Sequence, residues 1–139
     1  MDRTSVDIAR TLHRALEAGE HGEALRRHFT SDAETIEHPN AIRPTGGRLA
    51  LADMLAGSSA GTRLLAAQRY DEIDAIALGD LAIIRLVWTG TIATDVGPFR
   101  AGQILTAHIA QFVSTRDGCI ARIETFDCYE PFARPAAAA

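Results

Sequence analysis

Residues 118–132, GCIARIETFDCYEPF, decide how the whole chain is interpreted, because they form a strand pattern that gains polar residues toward its end. Arg116-Asp117-Gly118, just before, is a tight-turn sequence in which glycine supplies a positive φ. Successive side chains of a strand point to opposite faces. We expect one face to carry Ala121, Ile123, Thr125, Asp127 and Tyr129, and the other Ile120, Arg122, Glu124, Phe126 and Cys128. A carboxylate in such an apolar row lies either at a pocket mouth or at a solvent-exposed strand end.

Helical periodicity occurs only before the long strand patterns of the chain. The predicted helices run from a cap at Thr4 or Ser5 to Gly19, from about Gly22 to Phe29, and from Arg48 to Ala56. The segment Thr30-Ser31-Asp32 is expected to be a turn, and residues 57–61, GSSAG, are expected to break the third helix. The first two helices then form an opening hairpin.

The remaining pattern is that of strands. They are predicted at Ala33–His38, Gln68–Leu78, Leu81–Ile92, Gln103–Ser114 and in the final segment, with a two-residue hairpin at Gly79-Asp80. Helices followed by an antiparallel meander indicate an α+β fold, with helices packed on one face of the sheet. Residues 1–135 would form a single domain and residues 136–139 a disordered tail. Because the strand LAIIRLVW is apolar on both sides, we expect a homodimer through the free sheet face.

Composition and charge limit the function classes. The 139 residues are 47% hydrophobic and carry a formal charge of -4, which gives no electrostatic footprint for nucleic acid. The amino terminus lacks the apolar region of a secretory signal, and no run approaches a membrane span, so we expect a cytoplasmic protein without membrane contact. The histidines show no metal-ligand spacing, and phosphate-loop and dinucleotide motifs are missing. We therefore expect neither a metal nor a cofactor.

Three stretches together resemble one known family. FTSDAETIEHP follows the helical hairpin, LVWTGT lies in a central strand, and RDGCIARIETFDCYEPF ends the chain. In this order they resemble the nuclear transport factor 2-like superfamily, in particular its SnoaL-like bacterial members. The resemblance implies a cone-shaped α+β fold in which a curved sheet and three helices enclose a pocket, usually in a homodimer through the sheet. This superfold carries ketosteroid isomerases, polyketide cyclases and silent binding modules, so it does not by itself define an activity.

Two residues are candidates for acid/base catalysis. Asp127 in an apolar cavity would be desolvated, which raises its pKa and makes it a usable proton-transfer group. Its structural alternative is an exposed carboxylate, or a partner for an arginine such as Arg85. His38 ends the first strand in a segment that reaches the pocket in the resembled fold, where it could act as a general base. Its alternative is a histidine bonded to loop backbone.

Further residues are candidates for substrate contact. Trp88, Tyr70 and Tyr129 could wall a pocket for a flat hydrophobic ligand, with core packing as the alternative. His108 interrupts an apolar strand and is expected to be buried or at an interface. Arg85 is expected in a structural ion pair.

These residues support two hypotheses from different classes. The first is a small enzyme of the isomerase, cyclase or dehydratase type, which moves protons on an apolar oxygenated metabolite. The second is a module that binds a hydrophobic ligand or another protein without turnover. A perturbed pKa in a cavity favours the enzyme.

Overall fold

The computed structural model describes residues 3–132, in which three helices precede the long strands of one sheet. The elements are α1 (Ser5–Glu17), a 3₁₀ helix (Gly22–His28), β1 (Phe29–Glu37), β2 (Gly47–Ala50), α2 (Leu51–Leu64), β3 (Leu65–Leu78), β4 (Leu81–Ile92), β5 (Ile104–Arg116) and β6 (Cys119–Tyr129). The predicted α+β fold class is confirmed. The tail expected at residues 136–139 lies outside the described residues.

The final strand occupies an inner position of the sheet. The six strands are ordered β2-β1-β6-β5-β4-β3, and β1 and β6 are parallel while the other neighbours are antiparallel. Gly118 has the predicted positive φ in the β5–β6 turn, and Asp117 before it has a positive φ as well. Because β6 pairs with both the first strand and the long meander, it joins the two halves of the sheet.

Helix α1 covers one face of this sheet, which we call the inner face. Thr4 caps the helix in a capping box with Asp7, which confirms the predicted start. The apolar side of the helix packs on strand residues that are almost completely buried, such as Ile84, Leu86 and Val113. The opposite side of the sheet, the outer face, has no element of residues 3–132 packed on it.

The third helix differs from the prediction at both ends. Residues 47–50 form strand β2 beside β1, and α2 then continues through both glycines of GSSAG to Leu64. The helix persists because Leu51 and Leu55 are buried in the core, while the Ser58 hydroxyl bonds back to the Leu55 carbonyl. Tertiary packing therefore overrides weak helix propensity here.

Strand β1 also differs from the prediction. It begins at Phe29, so the expected turn Thr30-Ser31-Asp32 lies within the strand. The ends of this segment are paired with β6, Phe29 with Ile120 and Glu34 with Arg122, and the three turn-forming residues lie in the irregular stretch between them. Strand β4 has the predicted bounds, and β3, β5 and β6 lie within three residues of theirs.

One β-bulge changes the predicted faces of the final strand. Ser114 pairs with Arg122 but the next residue, Thr115, pairs with Ile120, which leaves Ala121 as the extra residue. Ile120 is therefore 1% exposed on the inner face, and its predicted position beside Arg122 is wrong. Beyond the bulge the predicted alternation is confirmed up to Asp127 and Tyr129.

No helix within residues 3–132 is long and apolar enough to cross a bilayer.

Candidate functional site

Asp127 lies at a cavity on the inner face of the sheet. It is opposite Ile109 in the β5–β6 ladder, and its partly buried side chain points to the same side as Thr125. The cavity has a volume of about 190 Å³. Its lining combines aromatic, amide and apolar side chains with one carboxylate: Gln68, Tyr70, Trp88, Ile109, Gln111, Thr125, Asp127 and Tyr129. We call this space the Asp127 cavity.

The environment of Asp127 favours its neutral form. Burial raises the pKa of this carboxyl, and the negative charge of Glu37 raises it further, while a hydrogen bond from the Thr125 hydroxyl to Oδ1 acts against both. Among the described residues no side chain or backbone group bonds to Oδ2. One carboxyl oxygen is therefore held in place, and the other is available to a ligand.

Trp88 and Tyr70 form the aromatic wall through a shared acceptor. The Trp88 Nε1–H donates to Gln68 Oε1 at 3.0 Å, and the Tyr70 hydroxyl donates to the same oxygen at 3.3 Å. The Trp88 ring lies directly over Gly90, two residues along β4, because only a residue without a Cβ leaves room for it. The glycine at position 90 therefore leaves room for the Trp88 ring in the cavity wall.

Tyr129 has an uncommitted hydroxyl. Its ring meets Trp88 edge to face with centroids 6.3 Å apart, and within residues 3–132 its hydroxyl makes no hydrogen bond. Burial raises the pKa of this phenol, and the nearby charge of Asp127 adds to the effect. The phenol therefore stays protonated at neutral pH and can donate to a ligand oxygen.

His13 is the principal site residue that the sequence interpretation missed. It is 4% exposed on α1, stacks on Tyr70 at 4.7 Å, and has Nε2 3.0 Å from Gln111 Oε1. The available signal was helical spacing, since His13 follows the buried Ala9 by four residues and shares its face. A second cavity of about 150 Å³ lies beside His13 and shares Tyr70 and Gln111 with the Asp127 cavity.

Burial of His13 predicts a loss of stability on acidification. Desolvation lowers the pKa of this imidazole below 6.5, so its contribution to stability is present above that value and is lost as the pH falls through the lowered pKa. Ring-nitrogen NMR should show His13 titrating below 6.5, together with a falling free energy of unfolding toward about pH 5. An imidazole that titrates above its ordinary value would contradict this burial.

His38 lies on the other face of the sheet from Asp127. Its Nε2 is 2.7 Å from Glu124 Oε2, and its ring stacks on Phe126 with centroids 4.2 Å apart. Glu124 and Phe126 alternate with Thr125 and Asp127 along β6, so the two predicted catalytic residues are not brought together.

Arg85 and His108 also lie on the outer face. Arg85 forms an ion pair with Asp74 through two hydrogen bonds, at 2.9 and 2.6 Å, in agreement with the structural ion pair expected from the sequence. The His108 side chain is 56% exposed and 2.8 Å from Glu130, so the expectation that it is buried is wrong for the single chain. Neither residue lines the Asp127 cavity, whereas Trp88, Tyr70 and Tyr129 all do.

Fold and cavity together define a class of protein: an α+β chain that holds a small cavity between helix α1 and the inner face of a mostly antiparallel sheet. No family model matches the chain, and comparison with curated proteins gives no match. Solved structures do match the chain in fold.

Three of them illustrate the likeness. IdmH from Streptomyces antibioticus, a proposed polyketide cyclase, matches with a TM-score of 0.70 and 22% identity over 90% of this chain and 92% of that chain. A proposed SnoaL-like polyketide cyclase from Jannaschia gives 0.69 and 15% identity over 91% and 90%. A protein with a ketosteroid isomerase-like fold from Catenulispora acidiphila, in complex with trimethylamine, gives 0.65 and 21% identity over 86% and 84%. The chain therefore has the nuclear transport factor 2-like fold of the SnoaL-like proteins, as the resemblance of its sequence implies.

Proposed function

We propose that this protein is a small enzyme of the isomerase, cyclase or dehydratase type, which moves protons on an apolar oxygenated molecule in the Asp127 cavity. Asp127 is the general acid/base. The observation that carries the proposal is a carboxyl with a raised pKa in a cavity walled by aromatic rings. His38 has no part in it, because it lies on the outer face beside Glu124.

The proposed chemistry is removal and return of a proton next to a carbonyl group. The free Oδ2 of Asp127 takes the proton from carbon, and the Tyr129 hydroxyl donates to the carbonyl oxygen as negative charge develops on it. The resulting carboxylic acid then returns the proton to another carbon of the same molecule. The reaction needs no oxidant, reductant or second substrate.

The cavity suits a substrate of about one ring. A cavity of about 150 Å³ binds benzene in an engineered protein, and the Asp127 cavity is somewhat larger, at about 190 Å³. The Trp88 and Tyr70 rings offer flat apolar surface, while Asp127 and Tyr129 offer the polar groups. This division favours a cyclic ketone over a polar or highly charged substrate.

The test uses cyclohex-3-en-1-one, a one-ring ketone that becomes conjugated when a proton moves from C2 to C4. The wild-type protein should accelerate its conversion to cyclohex-2-en-1-one by about 10²- to 10⁴-fold over buffer, measured by ultraviolet absorbance. The rate should rise with pH through the Asp127 pKa, which lies above 3.8, because only the carboxylate accepts the proton. Conversion at the buffer rate, or a rate that does not respond to pH, would contradict the proposal.

Binding without turnover is the second candidate. It is favoured by the hydrogen bonds that Trp88 and Tyr70 donate to Gln68. These two donors of the cavity are already bonded within the protein and are not available to a reacting substrate. In that case cyclohex-3-en-1-one should quench Trp88 fluorescence on binding but should not isomerise. The two readouts separate the candidates in one sample.

We also propose that two copies of the chain pair through the outer face. Large apolar side chains are exposed there, with Ile76 at 58%, Ile104 at 61% and Phe126 at 40%. Phe126 contacts Phe112 edge to face at 5.9 Å, so these rings form a patch. Exposed apolar side chains that share one face of a sheet are typical of an interface.

Light scattering after gel filtration should give twice the mass of the chain. Phe126→Glu should shift the protein to monomer, because it puts a second negative charge on this face, next to Glu124. Ile42→Glu is the matched control, since Ile42 is also 40% exposed but lies in the loop before β2. A wild-type monomer would refute the pairing.

A further inference from the structure

A third cavity on the inner face differs chemically from the Asp127 cavity and from the cavity beside His13. Its lining residues come from α1, the 3₁₀ helix, α2, β1, β2, β6 and the loop before β2, and its volume is about 320 Å³. Most of its lining is apolar, including Leu12, Leu25, Phe29, Leu49, Met54 and Leu55, and Arg43 is the one charged side chain among the lining residues. No residue lines both this space and the Asp127 cavity. We call it the Arg43 groove.

The loop that carries Arg43 is held by the Asn40 side chain. Asn40 Oδ1 accepts the backbone N–H groups of Ile42 at 2.9 Å and Arg43 at 3.0 Å, while its Nδ2 donates to the His38 carbonyl and to Glu37. This arrangement satisfies both ends of the amide and closes the chain into a tight turn. The position of Arg43 is therefore fixed by its own loop.

Glycine completes the placement of Arg43. Gly46 has a φ of +62°, and a Cβ there would lie 2.5 Å from the Glu37 carbonyl oxygen. A Cβ on Gly47 would lie 3.0 Å from Nη2 of Arg43, so the guanidinium packs directly on this glycine. Two residues without side chains thus let the charged group reach the mouth of the groove.

The guanidinium is only loosely paired. Its single ion pair among the described residues is Nη1 to Glu37 Oε1, at 3.5 Å, and its side chain is 41% exposed. No hydrogen bond from the guanidinium is formed within residues 3–132. Arginine has five N–H donors in a planar fork that matches a carboxylate, so most of its bonding capacity remains free.

We propose that the Arg43 groove binds an apolar monocarboxylate. The carboxylate bonds to the Arg43 guanidinium, and the hydrocarbon part lies among the leucines and Phe29. One cation matches one negative charge, and the apolar lining excludes water from the rest of the ligand. This binding uses none of the residues that line the Asp127 cavity.

Titration calorimetry with octanoate and octanamide tests the charge requirement. The two molecules have the same chain length, but only octanoate is an anion. Wild-type protein should bind octanoate about tenfold more tightly than octanamide, and Arg43→Gln should remove the difference. Arg48→Gln is the matched control, because Arg48 pairs with Glu34 and does not line the groove. Equal binding of both molecules by the wild type, or no binding of either, would refute the site.

A glycine in α2 offers a second test that does not alter charge. Gly57 lines the groove, and a Cβ there would have no heavy atom within 4 Å. Gly57→Leu should therefore keep or improve thermal stability, because leucine favours a helix over glycine, yet lower octanoate affinity at least tenfold. Gly61→Leu, in the same helix but outside the groove lining, should leave the affinity unchanged.

The results distinguish this site from other possibilities. Unchanged octanoate affinity in Gly57→Leu would refute the groove as the binding place. Asp127→Asn should bind octanoate like the wild type, so failure of the catalytic proposal leaves this one intact.

Discussion

Replacing Asp127 by asparagine is expected to lower the rate of cyclohex-3-en-1-one isomerisation by about 10²- to 10⁴-fold. Asparagine has nearly the same shape and can still accept the Thr125 hydroxyl bond, so the cavity should keep its form. It cannot take a proton from carbon at neutral pH. The absorbance assay therefore measures the loss of the base rather than the loss of the site.

The same substitution should make the protein more stable at neutral pH. Burial raises the Asp127 pKa above 3.8 in the folded protein. Below pH 3.8 the carboxyl is neutral in the folded and the unfolded chain, and its burial costs no stability. As the pH rises through the raised pKa, the buried carboxyl becomes charged and the folded protein loses this stability. Asparagine stays neutral, and its melting temperature should exceed that of the wild type by a few degrees at pH 7. The difference should narrow as the pH is lowered toward 3.8.

Asp74→Asn is the matched control for both effects. Asp74 is exposed on the outer face, and its hydrogen bonds from Arg85 hold the pKa of this carboxyl below its usual value. Its replacement should leave isomerisation unchanged and should bring no gain in melting temperature. If Asp127→Asn keeps full activity, Asp127 is not the general base.

Replacing Gly90 by alanine is expected to have the largest effect on stability among the single substitutions considered. The new Cβ would overlap Cη2 of Trp88 and lie 2.5 Å from its Cζ2, far inside the usual carbon contact distance of about 3.5–4.0 Å. The ring cannot move freely, because its Nε1 is bonded to Gln68 and its edge meets Tyr129. We expect the free energy of unfolding to fall by about 1–3 kcal/mol.

Urea unfolding, with Trp88 fluorescence as the probe, measures this effect directly, since the chain has a single tryptophan. The displaced ring should also shift the emission of the folded state. Gly61→Ala is the control, because its Cβ would meet nothing within 4 Å and alanine stabilises a helix by about 0.5–1 kcal/mol over glycine. Equal stability of Gly90→Ala and the wild type would show that Trp88 does not lie over this glycine.

Local sequence patterns were sufficient to predict the limits of the long strands, but not those of β1 and α2. Strand β4 is strongly apolar and bounded by Gly79-Asp80, so its limits could be read directly. Thr30-Ser31-Asp32 and GSSAG carry turn-forming residues, yet one lies in β1 and the other in α2. In β1 the pairing of Phe29 and Glu34 with β6 holds the two ends of the irregular stretch, and in α2 the core around Leu55 supplies the stability that local propensity lacks.

In the candidate site, too, some residues could be predicted from the sequence and others could not. Asp127, Trp88, Tyr70 and Tyr129 could be selected because each is a conspicuous polar or aromatic residue in a strand. His13 could not be paired with Gln111, because 98 residues separate them and only the packing of α1 on the sheet brings them to 3.0 Å. Similarly, the family resemblance implied that the His38 segment reaches the pocket, but it could not say to which face of the sheet the side chain points.

By itself, the amino-acid sequence determined the class of fold, the period of each long element and the residue types available for chemistry. These depend on local alternation and composition, which are independent of the rest of the chain. Only the tertiary structure decided which residues meet. The parallel pairing of β1 with β6 set His38 apart from Asp127, and the bulge at Ala121 turned Ile120 inward. Strand pairing and bulges decide faces because a shift of one residue moves a side chain to the opposite side of the sheet.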